Sequence, residues 1–91
     1  MSQQATAITP HDESLRLNQT LAHYASHALQ AHGCLIDSVQ TSELGVRIRL
    51  HRQPVEALKI RGFDVRRHEG GQLRCFVRGT YNGCRVEWPA P

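Results

Sequence analysis

Arginine residues alternate with apolar residues through the C-terminal half of this chain. The clearest example is residues 46–50, where Arg47 and Arg49 alternate with valine, isoleucine and leucine. Successive side chains of a strand point to opposite faces of a sheet, so this spacing sends the guanidinium groups to one face and the apolar groups to the other. Guanidinium groups stay charged and can bind carboxylate or phosphate through paired hydrogen bonds. The alternation therefore predicts a sheet with one apolar face and one face suited to acidic ligands.

The same alternation recurs in residues 63–66, 73–78 and 84–88. The phase of each segment predicts one set of partner-binding residues. These are Arg47, Arg49, Arg66, Arg74, Phe76, Arg78 and Arg85. An aromatic ring between guanidinium groups on an open sheet suits single-stranded nucleic acid, because the ring stacks on a base while the charges contact phosphates. An acidic protein surface and a face that contacts only solvent are the two alternatives.

The charge distribution supports an acidic partner for the C-terminal half. The formal net charge is +3, but residues 1–46 contain one basic and four acidic residues, whereas residues 47–91 contain ten basic and four acidic residues. A basic surface of this kind is typical of proteins that bind nucleic acid or acidic proteins.

We find no strong pattern for catalysis, a metal or a cofactor. His23 and His27 have the i, i+4 spacing of zinc ligands, but no Glu follows His23 as in H-E-x-x-H, and both histidines are predicted to face water. Cys75 and Cys84 fall on the apolar phase of their strands, where a thiol is usually unreactive. We therefore expect a protein that is not an enzyme, with no cofactor and no metal site.

The elements that must position these residues form a single α+β domain over residues 9–91, after a flexible tail over residues 1–8. Thr9 and Pro10 predict the start of a helix that ends near Ala31. Its buried stripe is predicted to contain the apolar residues at three- and four-residue spacing. These are Leu17, Leu21, Tyr24, Ala25 and Ala28.

Five strands and a second short helix follow in this prediction. The strands cover residues 34–41, 46–51, 63–67, 73–81 and 84–88, and the second helix covers residues 54–61. Asn82-Gly83 predicts a tight hairpin turn before the last strand, and Trp88 is predicted to cap the core. The element order is α-β-β-α-β-β-β, which predicts an antiparallel sheet with both helices on one face and the other face open to solvent.

The first residues contain neither the basic segment nor the apolar segment of a signal peptide, and no segment of the sequence is apolar enough to cross a membrane. The cysteine count is odd and there is no C-x-x-C motif. We therefore expect a cytoplasmic protein with reduced thiols and no membrane partner.

The closing sequence Asn82-Gly83-Cys84-Arg85-Val86-Glu87-Trp88, with the helix, hairpin and arginine-rich middle before it, resembles small proteins encoded by phages and prophages of proteobacteria. The resemblance implies a non-enzymatic protein that blocks a host machine, and anti-CRISPR inhibitors are one such class. The leading hypothesis is that the arginine-rich face occludes an acidic or nucleic-acid-handling host complex. The alternatives are a protein that binds single-stranded DNA or RNA directly, and a phage structural or assembly protein that forms a homodimer or larger homo-oligomer.

Overall fold

The structure, a computed structural model, describes residues 10–91 as one α-helix and a five-stranded sheet. The fold class is α+β, as predicted. The elements are α1 (Pro10–Ala31), β1 (Ile36–Ser42), β2 (Gly45–Leu50), β3 (Phe63–Glu69), β4 (Gln72–Tyr81) and β5 (Cys84–Pro89). The predicted tail and the Thr9 cap lie outside the described residues.

The strand order in the sheet is β1-β2-β5-β4-β3. All neighbouring strands are antiparallel except β2 and β5, which are parallel, so the prediction of a purely antiparallel sheet is wrong. The reason is the long connection after β2, which carries the chain to the far edge of the sheet. The three-stranded meander β3-β4-β5 then returns toward the centre and places β5 beside β2 in the same direction.

The helix packs against β1, β2 and β5 on one face of the sheet, which we call the helix face. Ala22, Ala25 and Leu29 are the buried helix residues, and they contact the apolar side chains of β2 and β5. Small alanine side chains allow the helix backbone to approach the sheet closely. The predicted stripe is therefore wrong except at Ala25 and the half-buried Ala28.

The three large members of that stripe lie on the solvent-exposed side of α1. Leu17 is 61 % exposed, Leu21 is 40 % exposed and Tyr24 is 68 % exposed. Asn18 instead faces the protein, where its side-chain amide donates a hydrogen bond of 2.7 Å to the carbonyl of Ser42. This contact ties the first half of α1 to the turn between β1 and β2.

The predicted second helix is a single 3-10 turn, Glu56–Leu58, within an extended connection over residues 51–62. Lys59 adopts a left-handed conformation (φ 53°) and ends the turn. The chain then crosses the helix face directly over Gly79, where an added Cβ would lie 2.6 Å from Cγ2 of Ile60 and 2.7 Å from the carbonyl oxygen of Arg61. The helix predicted over residues 54–61 is therefore limited to one 3-10 turn that ends at Lys59.

Two tight hairpin turns fix the register of the C-terminal strands. Asn82 and Gly83 both have positive φ angles, as the predicted turn requires, and Gly70 and Gly71 have the same property in the β3–β4 turn. No helix within residues 10–91 is long and apolar enough to cross a membrane.

Candidate anion-binding face

The strand register brings most of the predicted arginines to the sheet face opposite the helix. Cys84, Val86 and Trp88 of β5 are buried on the helix face, so the alternate residues of β5 point to the other face. Cross-strand pairing extends this assignment to β2, β4 and β3. We call the resulting surface the arginine face. Its charged and aromatic residues are Arg47, Arg49, Phe63, Arg67, Glu69, Arg74, Phe76, Arg78, Arg85 and Glu87.

Six of the seven predicted partner-binding residues share this face, and Arg66 does not. Arg66 pairs with Cys75 on the helix face, while Arg67 pairs with Arg74 on the arginine face. The prediction placed Phe63 on the apolar side of β3, whereas the observed pairing of Phe63 with Arg78 puts it among the arginines. The phase predicted for β3 is therefore wrong by one residue.

A buried carboxylate organises the centre of the arginine face. The Glu87 side chain is only 3 % exposed. Arg78 donates a hydrogen bond to its Oε2 from Nε at 3.1 Å, and Nη2 of Arg78 lies 2.9 Å from the same oxygen as an ion pair. The other oxygen, Oε1, has three guanidinium groups around it at longer distances: Arg49 at 3.6 Å, Arg67 at 3.7 Å and Arg47 at 3.9 Å. One carboxylate thus holds four arginines from three strands in a single layer.

A second carboxylate, Glu69, links the outer strand to the centre of the sheet. Its Oε2 accepts hydrogen bonds from Arg67 at 3.0 Å and from Arg49 at 3.3 Å, and its Oε1 lies 3.6 Å from Nε of Arg74. Partial burial raises the pKa of Glu69, but the charges and hydrogen bonds of Arg67 and Arg49 outweigh this effect and leave the pKa below its usual value. Glu69 is therefore ionised at neutral pH and binds the arginines as an anion.

The ring of Phe76 is stacked with two of the arginines. The guanidinium carbon of Arg67 lies 4.6 Å from the ring centroid and that of Arg78 lies 5.7 Å from it. Cation–π contacts of this kind help to hold guanidinium groups in place. They also occupy the ring with the protein's own side chains, which reduces its availability as a stacking surface for a nucleic-acid base.

One end of the arginine face contains arginines but no carboxylates. Arg47 and Arg85 lie directly opposite each other on β2 and β5, and Gln40 and Thr80 extend the same cross-strand row to β1 and β4. Among the described residues, no carboxylate lies within 4 Å of Arg85, and the only one near Arg47 is Glu87 at 3.9 Å. We call these four residues the acid-free row.

The two histidines of α1 face solvent as predicted, whereas of the three cysteines, predicted to be mostly buried, only Cys84 is buried. His23 and His27 are exposed, with ring centroids 4.4 Å apart, and within residues 10–91 no group of three or more potential ligands comes together to hold a metal ion. Cys84 is fully buried, and burial raises the pKa of its thiol. Cys75, predicted to be buried, is exposed because neither the helix nor the 51–62 connection covers that end of β4. Trp88 is 6 % exposed and belongs to the core.

Sequence reasoning missed Glu87, Glu69 and Arg67, although signals for them were present. Glu87 shares the phase of Arg85 in the β5 alternation, which put a carboxylate among the arginines. A two-residue Gly70-Gly71 turn pairs residue 69 with residue 72, and this register places Arg67 opposite Arg74.

Comparisons with protein-family models, with curated proteins and with solved structures find no match to this chain.

Proposed function

We propose that this protein is a non-enzymatic binding protein whose arginine face covers an acidic surface of a macromolecular partner. The observation that carries the proposal is the charge of this face, where six arginines and two glutamates of β2–β5 leave an excess of four positive charges. Positive surfaces attract acidic partners and raise the rate of association.

The way the guanidinium groups are held supports a binding role. Arg78 is hydrogen-bonded to a buried carboxylate that three other arginines approach within 4 Å, and two of the four also contact the Phe76 ring, so contacts within the protein order these side chains. Ordering flexible side chains in advance reduces the entropy lost on association. On an ordinary solvated surface each arginine is hydrated separately, so a buried carboxylate shared by several arginines is not needed there.

The most concrete version of the proposal is inhibition of a host defence complex of the CRISPR type, acting in the cytoplasm of the host cell. The support for this version is the resemblance to small phage proteins, together with free thiols at Cys34, Cys75 and Cys84, which suit a reducing compartment. The protein would act by occlusion, because a broad charged sheet face can cover a site without chemistry.

A cleavage assay tests this function. Purified CRISPR effector complexes would be mixed with target DNA in the presence of the wild-type protein or of an Arg74→Gln/Arg85→Gln variant. Both side chains are exposed, so the double variant should keep its fold, which circular dichroism would check. We expect inhibition by the wild type and a loss of inhibition in the variant. Equal inhibition by the two proteins, or none by the wild type across the complexes, would contradict the proposal.

Direct nucleic-acid binding is the alternative, and a mobility-shift assay tests it. Phosphate contacts release counterions, so binding to nucleic acid weakens steeply and linearly with the logarithm of salt concentration. The Phe76 ring is already covered by guanidinium groups, which is unfavourable for base stacking. A mobility shift of single- and double-stranded probes at low salt would favour this alternative, and no shift is expected.

A further inference from the structure

We infer that the acid-free row is the anchor site of the arginine face, and that it binds a carboxylate of an acidic peptide segment flanked by apolar side chains. This inference rests on the proposed function and adds the position and chemistry of the contact. Most arginines of the face lie close to Glu69 or Glu87, whereas in the acid-free row Arg47 has only the Glu87 carboxylate at 3.9 Å and Arg85 has no carboxylate within 4 Å among the described residues.

The electrostatics of the acid-free row favour an external anion. Like charges directly opposite each other in a sheet destabilise it, and Arg47 and Arg85 are such a pair. The neighbouring row along the same strands alternates in sign, because Glu87 lies between Arg49 and Arg78. A carboxylate placed between Arg47 and Arg85 would repeat that alternation and remove the repulsion, so the row is complementary to an anion supplied from outside.

The shape of this end of the sheet fits a peptide with apolar side chains. The row borders an open cavity of about 570 Å³. Phe63 and the turn containing Leu44 also line this cavity. Both apolar side chains are exposed: Phe63 by 59 % and Leu44 by 92 %. Arginines with exposed apolar and aromatic neighbours are typical of the residues that dominate protein–protein binding energy. This composition favours a peptide carrying apolar groups beside its carboxylate over a nucleic-acid backbone.

The polar residues at the ends of the row fit the same ligand. The Gln40 amide and the Thr80 hydroxyl can both donate hydrogen bonds, and each lies next to an arginine in the register. A carboxylate has about four lone-pair sites, so two guanidinium groups and these neutral donors can satisfy it. Charge-assisted hydrogen bonds to carboxylate are about twice as strong as neutral ones.

A matched pair of variants tests the anchor. The probe is a fluorescein-labelled peptide of alternating glutamate and leucine, and its binding would be measured by fluorescence anisotropy to wild type, Arg85→Gln and Arg74→Gln. Both substitutions remove one exposed positive charge from the same face, so they change the long-range electrostatics equally. We expect Arg85→Gln to weaken binding by at least about tenfold and Arg74→Gln by less than about threefold, because Arg74 lies beside Glu69.

The outcomes separate the anchor from the proposed function. Equal losses in the two variants would overturn the anchor and leave a diffuse charged face, whereas no loss in either variant would overturn both. Amide chemical shifts in a peptide titration should change first at Gln40, Arg47, Thr80 and Arg85. Changes confined to the Glu69 end would also reject the anchor. A length-matched oligothymidine that binds more tightly than the peptide would overturn the assignment to protein and favour a phosphate ligand.

Discussion

Two glutamates determine how the arginines of this protein are arranged. Glu87 is buried and contacts four guanidinium groups, and Glu69 contacts three, with Arg49 and Arg67 shared between them. Each carboxylate offsets the repulsion between the arginines around it and links them through ion pairs. The arginines could be predicted from their alternation in the sequence, but the network could not, because it depends on the register between strands that are distant along the chain.

Glu87→Gln tests the role of the central carboxylate. The substitution keeps the shape of the side chain but removes the charge that four arginines share, and it adds an amide donor facing those donors. We expect a loss of about 2 kcal/mol in the free energy of unfolding, measured by urea denaturation, since hydrogen bonds to charged groups contribute roughly 1.5–3 kcal/mol. Glu56→Gln, at an exposed position in the 51–62 connection, is the control. An unchanged urea midpoint in the Glu87 variant would show that this carboxylate does not organise the face.

Glu69 predicts a dependence of stability on pH. Its pKa is lowered in the folded protein from the usual 4.5, so its ionised form stabilises the fold at higher pH, and this contribution is lost as the pH falls through the folded pKa. We expect the melting temperature to fall as the pH is lowered below about 4.5, and to fall less steeply in Glu69→Gln. Thermal melts followed by circular dichroism between about pH 7 and pH 3 would measure this. Parallel curves for the two proteins would contradict the assignment.

At the scale of elements, the spacing of apolar residues in the helix did not by itself identify which helix face is buried. Residues 10–31 contain two apolar stripes, and the one with the larger side chains, including Leu17 and Leu21, is the more exposed. Two of the three buried side chains within residues 12–31 are alanines, and their small size lets the helix lie close to the sheet. The prediction from large apolar side chains therefore selected the wrong face of the helix. The existence and bounds of the helix were predicted nearly correctly.

A pair of leucine substitutions tests which stripe forms the core. Leu29→Ala should lower the free energy of unfolding by about 2–4 kcal/mol, because Leu29 is fully buried and its removal leaves a cavity. Leu17→Ala should change it by no more than about 0.5 kcal/mol, since Leu17 is 61 % exposed. Urea denaturation of both variants would measure the difference. Equal effects, or a larger effect at Leu17, would contradict the packing described here.

The crossing of the 51–62 connection over β4 makes a similar test possible at Gly79. A methyl group there would come within 2.7 Å of the Arg61 carbonyl oxygen, which belongs to the backbone and cannot move aside cheaply. We expect Gly79→Ala to destabilise the protein by about 1–3 kcal/mol, as overpacking of a filled core does. Thr80→Ala, at the next and exposed position, should have little effect in the same denaturation experiment. A Gly79 variant as stable as wild type would show that the connection does not cross here.

The phase predicted for β3 was wrong, and the position of this strand in the sheet explains why. β3 is an edge strand, and its far end is not covered on either face, so burial does not select one face for its apolar residues. Its register is set by the Gly70-Gly71 turn, which pairs Glu69 with Gln72. Turn length, and not the pattern of apolar residues, was therefore the better guide for this strand.

At the scale of the whole molecule, the protein is broad and thin. Its extents are 56 × 35 × 18 Å and its radius of gyration is 15.9 Å, compared with about 12 Å expected for a compact chain of this length. The helix covers half of one sheet face, and the opposite face carries the excess positive charge. This shape exposes a large charged surface relative to a small core.

Charge reversal at Arg85 tests the central claim most directly, because it separates stability from binding. In Arg85→Glu the new carboxylate would lie opposite Arg47, so the free energy of unfolding should rise by about 0.2–1 kcal/mol. The same variant should bind the acidic peptide at least about tenfold more weakly, because the site for its carboxylate is then filled and repels it. Thermal unfolding and fluorescence anisotropy on one preparation would give both values. A variant that is more stable and binds less supports a functional arginine pair, whereas a more stable variant with unchanged binding would show that this pair has no part in recognition.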